Sequence, residues 1–134
     1  MKEKEGYRGY VTCREFGGLI IPVPVQSLLL RDYCQKKGFK YKLHLNENIF
    51  PQSYMVLEGI AENMADFEGL IMCSMYMLPK KATRREIIFK KIFKENASVH
   101  FVLEDIVIKN LEELAFTEEI LKVGYFLEFC PKEV

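Results

Sequence analysis

The sequence predicts an α/β domain: a mostly parallel sheet with helices on both faces, in a three-layer α/β/α arrangement. Three observations carry this. Leu70-Ile71-Met72-Cys73 is an unbroken apolar run between Gly69 and Ser74. It is too short for a helix and reads as a strand buried on both faces, at the centre of a parallel sheet. A loop broken at Pro79 follows it, and Thr83-Arg84-Arg85-Glu86 then has the spacing of a capping box that opens a helix. Strand-like segments alternate with amphipathic ones along the chain, which implies right-handed crossovers. In such sheets ligands sit beyond the carboxyl ends of the strands, so a site is expected there.

The elements follow in order. Tyr7 to Cys13 is aromatic and β-branched and suits a first strand. Arg14 to Pro24 is a loop, with Leu19, Ile20 and Ile21 expected to pack down. A helix starts near Pro24, carries Val25, Leu28, Leu29 and Tyr33 on one face, and stops at Gly38. Phe39 to Leu45 alternates as a peripheral strand, and Asn46 to Pro51 is a loop. Leu57, Ile60, Ala61 and Met64 mark a second amphipathic helix. After the central strand, Ile88, Phe89, Ile92 and Phe93 give the capped helix a wide apolar face. Ser98 to Leu103 is a fourth strand, which Asp105 to Ile108 extends or pairs with after a kink. Leu111, Leu114 and Ala115 predict a last helix ending before Gly124, and the tail YFLEFC packs or pairs.

A chain of 134 residues with 49% hydrophobic content is one domain with a real core, spanning 1–134. Lys plus Arg and Asp plus Glu both number 19, which argues against general nucleic-acid affinity. No apolar run approaches the roughly 20 residues that cross a bilayer, and the charged start is no signal peptide, so membrane insertion is not expected. Cys13, Cys34, Cys73 and Cys130 lie far apart and form no zinc pattern. They read as buried reduced thiols of a cytoplasmic protein, and neither metal nor cofactor is expected.

Phosphate-binding loops and hydrolase motifs are absent: there is no GxGxxG, GxxxxGK[ST], HExxH or GxSxG. Chemistry must come from the strand ends. Arg14 ends the first strand and could fork onto a carboxylate or phosphate, or pin its own loop. Ser74 and Tyr76 follow the central strand; Ser74 is a hydroxyl ligand or nucleophile, or merely caps its turn. Lys80, Lys81, Arg84 and Arg85 surround a helix N-terminus, where they would hold an anion or stand solvated. Glu104, beside Asp105, is a proton carrier or half of an ion pair with an arginine. Gln26 and Arg31 on the first helix could face the same crevice. His44 and His100, both within strands, read as structural.

Two resemblances follow from longer segments. YRGYVTCR, PVPVQSLLLRDYC, GLIMCSMYMLP and VLEDIVI together look like the catalytic domain of serine recombinases (resolvases and invertases), over roughly residues 7 to 108. The resemblance implies a resolvase-like fold. Of that family's GYARVS motif, the arginine falls on Thr12 and the nucleophilic serine on Arg14; of LDRLGR, the two arginines fall on Met77 and Lys80. A recombinase lacking these groups can neither form a phosphoseryl bond nor stabilise its charge. RGYVTCR, PVPVQSLLLRDYC, SYMVLE, CSMYMLP and VLEDIVIKN also resemble the sporadic carbohydrate cluster proteins over nearly the whole chain. That resemblance implies a cytoplasmic role in lipopolysaccharide O-antigen, capsule or modified-sugar synthesis.

Two functions follow as expectations. In the first, the sheet edge binds a phosphorylated sugar or sugar nucleotide, with Arg14 and Arg84 or Arg85 holding the anion and Glu104 moving a proton. In the second, the chain is a catalytically silent module that partners a glycan-biosynthesis enzyme through apolar residues such as Tyr125, Phe126 and Phe129. Self-association is open on either reading.

Overall fold

The computed structural model describes residues 4–47, 49–50 and 53–129, the last five of these by backbone alone. Five strands form one sheet in the order β2-β1-β3-β4-β5. They are β1 (Tyr7–Val11), β2 (Tyr41–Asn46), β3 (Gly69–Met72), β4 (Ser98–Phe101) and β5 (Ile106–Ile108). The first four run parallel, and β5 folds back antiparallel on β4. The sequence left β5 undecided; Asp105, at φ 54°, turns the chain and makes it a hairpin.

The helices are α1 (Val23–Lys37), α2 (Met55–Glu62), α3 (Ala82–Lys94) and α4 (Leu111–Phe129). From β1 the chain crosses to β2 on one side, then back past β1 to β3. Right-handed crossovers therefore put α1 on one face and α2 and α3 on the other. Contacts agree. Gly9, Ile71 and His100 are register neighbours, and Tyr33 of α1 bonds to His100 at 2.8 Å. On the opposite face Tyr10 donates to Glu47, whose carboxylate accepts the first amides of α2, Val56 and Leu57.

All four residues of β3 are buried, as a central strand requires. Leu57, Ile60 and Ala61 face the core from α2 as spaced, while Met64, read as the same helix, is buried in the 3-10 turn Met64–Asp66 that follows it. Helix α1 ends at Gly38, whose φ of 72° suits a residue without a side chain. Its buried residues, however, are Gln26, Leu30, Tyr33 and Cys34, while Val25 and Leu28 face water. Leu19 and Ile20 are likewise exposed instead of packing down.

Three further expectations are corrected. Helix α3 begins at Ala82 with Lys81 as its N-cap and no side-chain cap, so the Thr83–Glu86 box does not form. Glu86 instead pairs with Lys90 one turn on. Helix α4 continues through Gly124, because Tyr76 presses on that position and a Cβ there would lie 2.1 Å from its hydroxyl. Cys13 is exposed, whereas Cys34 and Cys73 are buried thiols, pushed by burial to about 11 and, with Glu104 adding, about 12. Pro51, Cys130 and the side chains of Tyr125, Phe126 and Phe129 lie outside the described residues.

Candidate anion-binding cleft

At the carboxyl edge, where the chain leaves β1 in one direction and β3 in the other, lies a cleft of about 400 Å³. Arg14 and Glu15 form one wall, Pro79, Lys80 and Lys81 another, and Tyr54 and Arg84 complete it. Tyr54 anchors the arrangement. Both guanidiniums lie over its ring, Arg14 at 4.8 Å and Arg84 at 5.0 Å from the centroid. These are cation–π distances, which hold the two cations close without neutralising them.

Each arginine is also tethered. Arg14 donates to the carbonyl of exposed Phe50 at 3.0 Å and weakly to Thr12 Oγ1 at 3.4 Å. Arg84 donates to Glu58 of α2 through Nε at 2.8 Å and through Nη2. Among the described residues Lys80 and Lys81 form no ion pair, and both are exposed. Lys81 stands at the uncapped start of the 13-residue α3, whose first amides point outward. The cleft thus gathers four cations against two carboxylates, Glu15 and Glu58, and suits an anion of two charges.

The other predicted site residues take different places. Gln26 is fully buried, and its amide is consumed by the chain. It donates to the carbonyls of Thr12 and Ile21 at 2.5 and 2.7 Å and accepts from the Thr12 amide at 3.2 Å. It therefore clamps the end of β1 to α1 and does not face the crevice. Ser74 is buried; its hydroxyl donates to Glu104 at 2.9 Å and accepts from the Tyr76 amide at 3.1 Å. Glu104 accepts also from the Met75 amide at 2.6 Å, so it meets a hydroxyl and an amide and no arginine. Burial raises the Glu104 pKa, and those two hydrogen bonds oppose the rise. This closed pair stabilises the turn after β3.

Arg85 is buried, pairs bidentately with Glu118 of α4, and donates to the Pro79 and Lys80 carbonyls at 2.8 and 2.7 Å. It ties α4 to α3 and shapes the loop that walls the cleft, but does not line the cleft itself. Tyr76 lies between the Gly17 turn and Gly124 of α4. Arg31 is exposed, over the ring of Tyr41 at the start of β2, remote from the carboxyl edge. Arg14 and Arg84 are the predicted anion holders that the fold brings together. Sequence reasoning missed Tyr54, whose signal was an aromatic residue immediately before an amphipathic helix. It missed the acidic partners Glu58 and Glu118 as well.

Among the described residues no group of three or more His, Cys, Asp or Glu gathers to hold a metal, and no helix is long and apolar enough to cross a membrane. The architecture is that of a serine recombinase catalytic domain. The N-terminal catalytic domain of TP901-1 integrase superposes with a TM-score of 0.63, covering 91% of this chain and 95% of that domain, at 15% identity. At that identity the likeness establishes the fold. No protein-family profile and no curated protein matches the sequence.

Proposed function

We propose that this chain uses a resolvase-like fold to bind a phosphorylated sugar or sugar nucleotide, in the service of bacterial surface-carbohydrate synthesis in the cytoplasm. The observation that carries the reading is the pair of guanidiniums on Tyr54 facing Lys80 and Lys81 across one cleft. Two of these cations, Arg14 and Lys80, stand where the recombinase motifs put the nucleophilic serine and the second arginine. The position that performs strand cleavage in recombinases is here occupied by groups that hold an anion and cannot attack it. The carbohydrate assignment is supported by the sequence segments that resemble the sporadic carbohydrate cluster proteins.

The polar residues lining the cleft bind and orient. Glu104, the sequence's candidate proton carrier, is turned toward Ser74 and Met75 and away from the cleft. Binding is therefore the activity proposed here, and a proton transfer would need Glu15 or the ligand's own groups. A thermal-shift screen against sugar phosphates, sugar nucleotides and a short DNA duplex tests this. A ligand at about a hundred times its Kd adds about 2.7 kcal/mol, several degrees of midpoint. The expected result is a shift with a phosphorylated sugar compound that disappears in Arg14→Ala. A flat response to every compound contradicts the reading.

One observation favours the silent interaction module as a second reading: Leu19, Ile20, Val25 and Leu28 are exposed together around the start of α1. That module predicts a stable complex with a glycan-biosynthesis enzyme, lost in Leu28→Glu, with no small-molecule shift at all.

A further inference from the structure

Beside the anion cleft lies a second cavity, about 540 Å³, between α3 and α4. The two share Lys80, which lines both. The ridge between them is the Pro79–Lys80 backbone, held down by the two hydrogen bonds from Arg85. Arg85 shows neither cavity a free charge, because Glu118 engages its remaining edge. The second cavity differs in chemistry from the first. Leu111, Leu114 and Ala115 give it an apolar wall, and Glu119 and Lys122 stand exposed on its rim.

We infer that the two cavities are subsites of one ligand, a nucleoside diphosphate sugar whose diphosphate lies on Arg14, Lys80 and Lys81 and whose sugar lies in the α3–α4 cavity. This rests on the anion reading above and narrows it. A sugar monophosphate offers a single substituent, so with its phosphate at Lys80 it can fill the α3–α4 cavity or the open side of the cleft, but not both. A diphosphate is an anion with a substituent on each side, so it can sit at Lys80 and send its sugar over the ridge. The wall beyond suits a sugar ring: its C–H face packs on Leu111 and Ala115, its hydroxyls donate to Glu119 and accept from Lys122. The nucleoside leaves by the open side of the cleft, past Tyr54.

Isothermal titration tests this with UDP and GDP against UDP-glucose, UDP-galactose, UDP-N-acetylglucosamine and GDP-mannose. Ala115→Trp fills the sugar cavity from an exposed position of α4, and Glu119→Ala removes the carboxylate. Matching unfolding midpoints show that both variants fold. One sugar nucleotide is expected to bind wild type about tenfold more tightly than its parent diphosphate, a difference of about 1.4 kcal/mol. Ala115→Trp should abolish that gain and leave the affinity for the diphosphate unchanged; Glu119→Ala should reduce the gain. If the diphosphates bind through Arg14 but no sugar adds affinity, or the gain survives Ala115→Trp, the two-subsite inference is overturned and the anion cleft stands. If wild type binds neither these nucleotides nor inorganic pyrophosphate, the anion reading itself fails and takes this inference with it.

Discussion

Two polar clusters occupy the carboxyl edge of the sheet, and they spend their hydrogen bonds differently. Around Gln26, Ser74 and Glu104 the groups are buried or half-buried and satisfied within the chain: amide on carbonyl, hydroxyl on carboxylate, carboxylate on amide. Across the cleft, Arg14 and Arg84 rest on an aromatic face, and Lys80 and Lys81 reach into solvent. The first arrangement builds the edge, and the second leaves charge for a ligand. Lying just past a strand end is therefore not enough to make a residue part of a site. What separates the clusters is exposure and charge balance: Arg14 and Arg84 have partners in the Phe50 carbonyl and Glu58, yet with exposed Lys80 and Lys81 the cleft keeps an excess of cations.

The largest expected effect lies at the boundary between them. Arg85→Ala strands Glu118 and two carbonyls, and breaking a buried pair of this kind costs about 3 kcal/mol. Urea unfolding should show the loss; a change below about 1 kcal/mol would mean that α4 is held by other contacts. Gln26→Ala comes next, at about 2 kcal/mol, because it leaves the Thr12 amide and carbonyl buried and unpaired. Gly124→Ala drives a Cβ into the Tyr76 hydroxyl and should cost about 1–3 kcal/mol, read by the same assay. Arg14→Ala should be the mildest of these for stability, within about 0.5 kcal/mol, yet abolish ligand binding. If Gln26→Ala proves neutral and Arg14→Ala unfolds the domain, the division of labour is reversed.

A pH-dependent effect, absent at neutral pH, probes the face opposite α2 and α3. His100 sits among Tyr7, Tyr33 and Phe39, with hydroxyls of Tyr33 and Ser98 at 2.8 Å from its two ring nitrogens. Burial, then Lys109 and Lys37, lowers its pKa from 6.5 to about 4. Because the depressed value belongs to the folded state, the unfolded chain takes up the proton first as the pH falls. His100 should therefore subtract stability between about pH 6.5 and 4, with no further loss below. His100→Gln should flatten that part of the pH–stability curve; an unchanged slope would show that other groups set it.

The fold was legible where apolar spacing and burial coincide. Helix α2 and strand β3 are the clearest cases, since each apolar position read there is buried. Helix α1 misled because Gln26, polar in composition, takes an inner position by satisfying both halves of its amide, so the apolar Val25 and Leu28 are left outside. Gly124 reads as a helix end in sequence, but its missing side chain accommodates Tyr76 from another part of the chain. The same limit governed the site. Arg14 and Arg84 were legible from strand and helix ends, whereas Tyr54, which brings them together, and the acidic partners Glu58 of Arg84 and Glu118 of Arg85 depend on packing between elements that no local pattern encodes.

The most direct measurement of the central claim is a two-dimensional amide NMR titration with inorganic pyrophosphate. The account predicts shifts concentrated at Arg14 and from Lys80 to Arg84, with Gln26, Ser74 and Glu104 unmoved, and their loss in Arg14→Ala. Shifts centred on Ser74, Met75 and Glu104 with none along Lys80 to Arg84, or no shifts at all, would contradict it.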